Sequence, residues 1–160
     1  MDLLLHACSA LPPELRPRLV IVGDGPSRYE LQELAARLFP SAEFTGERQG
    51  AELEQYFQAA DLFVLPGTGG LAVQQAMAFG LPVIVAQGDG TQDDLVRPAN
   101  GWQVPPNDLT ALTDVLRIAL ADAPRLRQMG NVSYRIVVEE VNLEAMVSAF
   151  IQALTQISEG

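Results

Sequence analysis

The sequence predicts an α/β fold, an open and mostly parallel sheet with helices on both faces. Three observations predict it. Short apolar runs rich in β-branched residues alternate with stretches of roughly ten residues at helical spacing. One run, Arg18 to Val22, is continuous and β-branched, which suits a strand buried on both faces. The connections are short, as right-handed crossovers in a parallel sheet require.

Each element follows in order. Asp2 to Leu11 carries Leu4, Leu5, Cys8 and Leu11 at helical spacing and stops at Pro12-Pro13. Arg18 to Val22 is the first strand, closed by Gly23-Asp24-Gly25-Pro26. Ser27 then reads as an N-cap, with Glu30 three residues on completing the capping box of a helix that runs to Phe39. Ala42 to Thr45 is a short strand, Ala51 to Ala59 a helix, Asp61 to Leu65 a strand, Leu71 to Phe79 a helix and Pro82 to Ala86 a strand. A short helix near Asp93 to Val96 and a strand at Gly101 to Val104 come next, then helices at Asp108 to Asp122, Pro124 to Val137 and Leu143 to Ile157. No linker, internal repeat or low-complexity segment divides them.

Composition narrows the function. At 160 residues with 48% hydrophobic positions, one domain can bury roughly 70% of its unfolded surface. A net charge of −10 repels a phosphate backbone, so nucleic acid is excluded as an expected partner. The single cysteine, Cys8, has no internal disulfide partner, and with only His6 beside it there is no ligand set for a metal; helix packing is the expected use of both. The apolar runs fall well short of the ~20 residues that cross a bilayer. The opening MDLLLHACSA lacks the basic flank of a signal peptide. Membrane association is not indicated, and a cytoplasmic protein is expected.

The stretch PGTGGLAVQQAMAFGLPVI, Pro66 to Ile84, is the most informative. In parallel sheets ligands bind beyond the carboxyl ends of the strands, and this turn leads from the strand DLFVL into a helix. The first turn of that helix has unpaired N–H groups and a positive dipole end, and glycines at 67, 69 and 70 let an anion approach the backbone. A phosphate site and a merely tight turn both fit this spacing. Gly23-Asp24-Gly25 ends another strand in the same way, either as a second lining of one cleft or with Asp24 capping the turn after it. There is no nucleophile and base pair, no acidic pair at useful spacing and no GxSxG elbow. No catalytic side chain and no metal ligand are therefore expected.

Five ordered blocks make the chain resemble a known family over nearly its whole length. They are LLLHA; RLVIVGDGP; FTG followed by LEQYFQAADLFVLP; GGLAVQQAMAFGLPVIV; and LVRPANGWQVPPNDLTAL. The chain resembles the C-terminal, donor-binding domain of family 4 glycosyltransferases, retaining enzymes of the two-domain GT-B fold, each half being Rossmann-like. The resemblance implies that a UDP- or GDP-linked sugar is bound as substrate, with no cofactor and no metal. It implies that backbone groups at Gly46 and Arg48 face the base and that those at Gly70 and Leu71 hold the diphosphate. Gly23, Gly25, Gly67, Thr68, Gly69 and Gln75 complete the expected donor site. Two positions depart from the family motif, a glutamate followed after seven residues by a second one: Gly67 and Gln75 stand there. Gly67 has no side chain for sugar hydroxyls. Gln75 can bond the ribose only without charge, so weaker ribose binding is expected.

The family's acceptor domain, and an Arg and Lys pair that grips the diphosphate, would lie upstream of Met1. Arg28 and Arg48 lie near the relevant loops but read as solvated surface arginines. The expected function is thus the donor half of a glycosyltransferase, inactive in transfer until an N-terminal domain or partner chain completes the cleft. The other reading is a degenerate half that serves as a binding or scaffolding partner and ignores nucleotides. Apolar residues of the first helix and of Leu143 to Ile157 could meet a missing domain and drive self-association, or simply cover their own sheet.

Overall fold

Apolar runs become five short strands: β1 (Val20–Val22), β2 (Glu43–Gly46), β3 (Phe63–Leu65), β4 (Val83–Ala86) and β5 (Gly101–Val104). They belong to a computed structural model that describes residues 1–67, 70–88 and 94–141. Among those residues the helices are α1 (Asp2–Ala10), α2 (Arg28–Leu38), α3 (Gly50–Ala59), α4 (Gly70–Ala78), α5 (Leu109–Leu120) and α6 (Ala123–Glu140). The boundaries fall within a residue or two of those predicted, apart from a later start for β1 and β3 and a longer α6. The expected short helix after β4 shows as a helical Asp94-Leu95, with Asp93 outside the described residues. The expected helix at Leu143 to Ile157 also lies outside them.

Hydrogen bonds tie β1 to β2 and β3 to β4 to β5, parallel throughout, with Phe63 opposite Val83 and Val83 opposite Gly101. The one continuous ladder that the sequence suggests is thus divided in two, with β1 in one part and β3 in the other. Both are only three residues long, and side chains make the join instead. Ile21, Phe44, Val64, Ile84 and Val104, one from each strand, enter a single apolar layer with α1, α2 and α5. Val83 and Val85 turn to the other face, where Phe57 of α3, Val73, Ala76 and Met77 of α4 and Ile136 of α6 cover them. All four residues of β4 are therefore buried, whereas in β1, the strand expected to be buried on both faces, only Ile21 is buried and Val20 and Val22 are half-buried.

Helix ends are set by local chemistry. Asp108 and Asp122 accept the N–H groups of Ala111 at 2.8 Å and Arg125 at 3.0 Å, capping α5 and α6. The expected capping box at Ser27 and Glu30 does not form: Ser27 makes no side-chain cap bond. Its backbone, at φ −85° and ψ 4°, is already turned toward the helix, away from the extended conformation in which an N-cap hydroxyl reaches back.

Backbone contacts fix the carboxyl end of α4. Gly80, at φ +71°, closes the helix: its N–H donates to Met77 at 2.9 Å while Leu81 donates to Ala76 at 3.1 Å, the paired bonds of a Schellman motif. α6 crosses at this point so closely that a Cβ on Gly130 would lie 2.0 Å from the Gly80 carbonyl oxygen. Next to it, the buried Asn100 accepts the Arg97 N–H at 2.7 Å and donates to Leu95 O at 3.0 Å and Ser133 Oγ at 3.4 Å. Arg97 makes a two-pronged ion pair with Glu140, and these hydrogen bonds hold the Glu140 carboxyl below the usual carboxylate range. The approach to β5 is thereby fastened to α6.

Cys8 is 1% exposed within the α1 layer, and burial pushes its thiol from 9.0 up to about 11. The apolar residues of α1 are likewise spent on this domain's own core.

Two outcomes are expected. Gly130→Ala forces α6 away from α4 and should lower the free energy of unfolding by about 2 kcal/mol or more, measured by urea denaturation; an unchanged midpoint would refute the contact. Cys8 should resist a thiol reagent at pH 8 in the native chain and react once the chain is unfolded, since the thiolate is the reactive form. Its raised value also means that its contribution to stability is complete below pH 9.0 and fades as pH rises toward 11.

Candidate functional site

One helix follows each of β1, β2 and β3, so the chain returns to the same side each time and the carboxyl ends of the strands share an edge. The turns at that edge hold the residues singled out from the sequence, in two groups.

The first group is a corner between the ends of β1 and β2. The N–H of Gly23 donates to the carbonyl of Gly46 at 2.9 Å, an isolated bridge beyond the regular ladder. Gly23 has φ +130° and Gly46 has φ +75°. At Gly46 the positive φ is what favours glycine, and its open side-chain face is occupied by the Arg28 guanidinium, whose Nη1 would lie 2.9 Å from a Cβ there. Gly25 is open on its side-chain face, and its N–H is held by Asp24 Oδ1 at 2.8 Å. Arg48 turns aside to Glu52, at 3.6 Å, so its side chain behaves as the surface arginine expected of it.

The second group surrounds the start of α4. Gly70 is the first helical residue and no acidic residue occupies the first turn, leaving the positive end of the dipole without a carboxylate of its own there. Leu71 is 79% exposed and Gln75, one turn on, is exposed as well. Val73, Ala76 and Met77 on the opposite side are buried. This split is the helical periodicity at work, apolar face on the sheet and the Leu71 and Gln75 face outward. A Cβ on Gly67 would meet no atom within 4 Å among the described residues. Thr68 and Gly69 lie outside the described residues.

Sequence reasoning passed over Asp24 and Arg28 as partners. Arg28 Nη1 donates to Asp24 Oδ2 at 3.1 Å, and the Arg28 side chain is 32% exposed, against 74% for Arg18 in its own ion pair with Glu43. The i,i+4 spacing across a helix start was the available signal, but nothing in it shows that the guanidinium reaches a different turn.

Comparison with known proteins agrees with this architecture. The chain is 34% identical over 128 residues to sulfoquinovosyl transferase SQD2 of Arabidopsis thaliana, taking in 76% of this chain and 24% of that protein. It is 46% identical over 84 residues to a GDP-mannose-dependent alpha-mannosyltransferase of Mycolicibacterium smegmatis, covering 51% of this chain and 21% of that one. Sucrose-phosphate synthase of Thermosynechococcus elongatus superposes with a TM-score of 0.80 at 28% identity, over 99% of this chain and 42% of its own. The chain thus spans about a quarter of the length of these curated relatives. A model described as Glycosyl transferases group 1 matches residues 1–136. That match begins ahead of α1, ends within α6 and takes in all five strands with both groups of edge residues, and by it the chain belongs to the group 1 glycosyl transferases.

Proposed function

We propose that this chain is the donor nucleotide-sugar domain of a retaining glycosyltransferase, passing a sugar from a UDP- or GDP-linked donor to an acceptor when an N-terminal domain completes the cleft. The observation that carries it is the start of α4: a glycine-led helix end at the carboxyl edge, with no carboxylate in its first turn and an outward face of Leu71 and Gln75. The first N–H groups of a helix have no partner within it, so Gly70 and Leu71 can donate to the diphosphate. As the bond to the sugar breaks, negative charge grows on the departing phosphate, and the fixed dipole of α4 stabilises it without reorganising. Thr68 and Gly69 belong to the same phosphate turn in this reading.

Gln75, one turn from Leu71, bonds the ribose. The backbone of Gly46 and Arg48 faces the base, with the turn of Gly23 and Gly25 alongside. Gly67 leaves the sugar hydroxyls to other groups. The GDP-mannose dependence in the name of one relative supports a nucleoside diphosphate sugar as the donor. No cofactor or metal enters the proposal. The acceptor domain supplies positioning and the exclusion of water, which a lone half lacks. A cytoplasmic setting accords with the free, buried Cys8 thiol. Self-association through a face meant for the second domain would have to involve residues other than the buried ones of α1.

Calorimetric titration with UDP and GDP tests the proposal: the purified chain should bind at least one of them while transferring no sugar by itself. Silence toward both nucleotides would overturn the donor reading in favour of a scaffold. Gln75→Glu, by restoring a charged acceptor, should tighten binding by about 1 kcal/mol, or roughly fivefold. An unchanged affinity would remove Gln75 from the ribose.

A further inference from the structure

The corner between β1 and β2 contains a charged pair that the donor reading leaves unused. Asp24 holds two groups at once: Oδ1 takes the Gly25 N–H at 2.8 Å and Oδ2 takes Arg28 Nη1 at 3.1 Å. The guanidinium then reaches across to the next turn. Its Nη1, Cζ and Nη2 lie 2.9, 3.7 and 3.8 Å from the point where a Gly46 Cβ would be. Gly46 closes the circuit by accepting the Gly23 N–H at 2.9 Å. One arginine therefore meets the turn after β1 through Asp24 and the end of β2 through Gly46.

A solvated i,i+4 pair contributes little to stability, and this one is open enough to fall in that class. The geometry gives it a different use. The turn after β1 carries Gly23 and Gly25, which have no side chains to pack, and β2 ends on a glycine at positive φ. Joined by the single Gly23–Gly46 backbone bond alone, two such turns keep some freedom of spacing, and a ligand that touches both must order them as it binds. A planar guanidinium bonded to one and lying over the open side-chain face of the other favours a single spacing in advance.

We propose that Arg28, anchored by Asp24, is a positioning residue of the donor site: it latches the β1–α2 turn to the end of β2, so that the base and ribose of the nucleotide meet a preformed wall. The proposal rests on the donor-binding reading of this chain. Arg28 itself need not touch the nucleotide.

The experiment uses the 160-residue chain with Arg28→Gln, Arg28→Lys, Asp24→Asn and the double variant Arg28→Gln with Asp24→Asn. Asn at 24 keeps an oxygen for the Gly25 N–H and removes the charge that holds Arg28. The affinity for UDP or GDP, whichever binds more tightly, should fall about tenfold in Arg28→Gln and in Asp24→Asn. The double variant should be no weaker than the singles, because both cut the same latch. Arg28→Lys should recover part of the loss through the retained charge. In the unliganded chain, amide exchange should quicken at Gly23 to Gly25 and at Gly46 to Glu47 together, with the thermal midpoint unchanged.

Additive losses in the double variant, exchange that quickens in only one of the two turns, or variants that bind like the wild type would each overturn the latch. If the wild type binds neither nucleotide, the donor reading falls and the ligand of this proposal with it. Wild-type binding with unaltered variants removes Arg28 alone.

Discussion

The contact between the Gly80 carbonyl and the backbone of α6 at Gly130 constrains everything at the opposite end of α4. α4 is short, and half of its surface is committed to the sheet through Val73, Ala76 and Met77. A helix held only by apolar side chains can rotate or slide at modest cost. Backbone pressed on backbone, with no room for a methyl group at Gly130, removes that freedom. The amino end of α4 then stands where β3 delivers it, beside the carboxyl edge, and its outward face is fixed as Leu71 and Gln75. A helix dipole stabilises charge only within its first turn, so a small displacement of α4 would forfeit the effect. Packing at one end of the helix thus sets the chemistry available at the other.

The molecule separates the work of folding from the work of binding. β3 and β4 are covered on both faces by apolar layers, one under α1, α2 and α5 and the other under α3, α4 and α6. At the carboxyl edge a chain with a net charge of −10 gathers local positive potential from the start of α4, while Arg28 is balanced by Asp24. An anion approaching the protein meets repulsion from the whole and attraction at the edge, which favours close engagement over loose association. Gly67 and Gln75 carry no charge where the family motif has two glutamates, which leaves this edge less negative; in the proposed donor site, more of the hold on the donor then falls to backbone amides.

Asp24 and Arg28 qualify that separation. In local sequence they are an ordinary helix-start pair, one of several i,i+3 or i,i+4 ion pairs in the chain. What distinguishes Arg28 is the absent side chain of Gly46, eighteen positions away in sequence, which gives the guanidinium a surface to lie on. Preorganisation of this kind changes the cost of binding more than the stability of the fold.

Much was legible without coordinates because it depends on local periodicity. Unbroken apolar runs located the five strands and the 3.6-residue pattern located the helices, while the caps at Asp108 and Asp122 emerged only in the structure. Five ordered blocks of residues were enough to name the family. Tertiary structure decided the rest. It withheld the capping box at Ser27, because the backbone there had already turned toward the helix. It divided the strands into two ladders and let side chains make the join. It drew Arg28 onto Gly46 and α6 onto Gly80. Each of these is a meeting of residues far apart in the chain or a backbone angle imposed by the surroundings, and no local pattern encodes either.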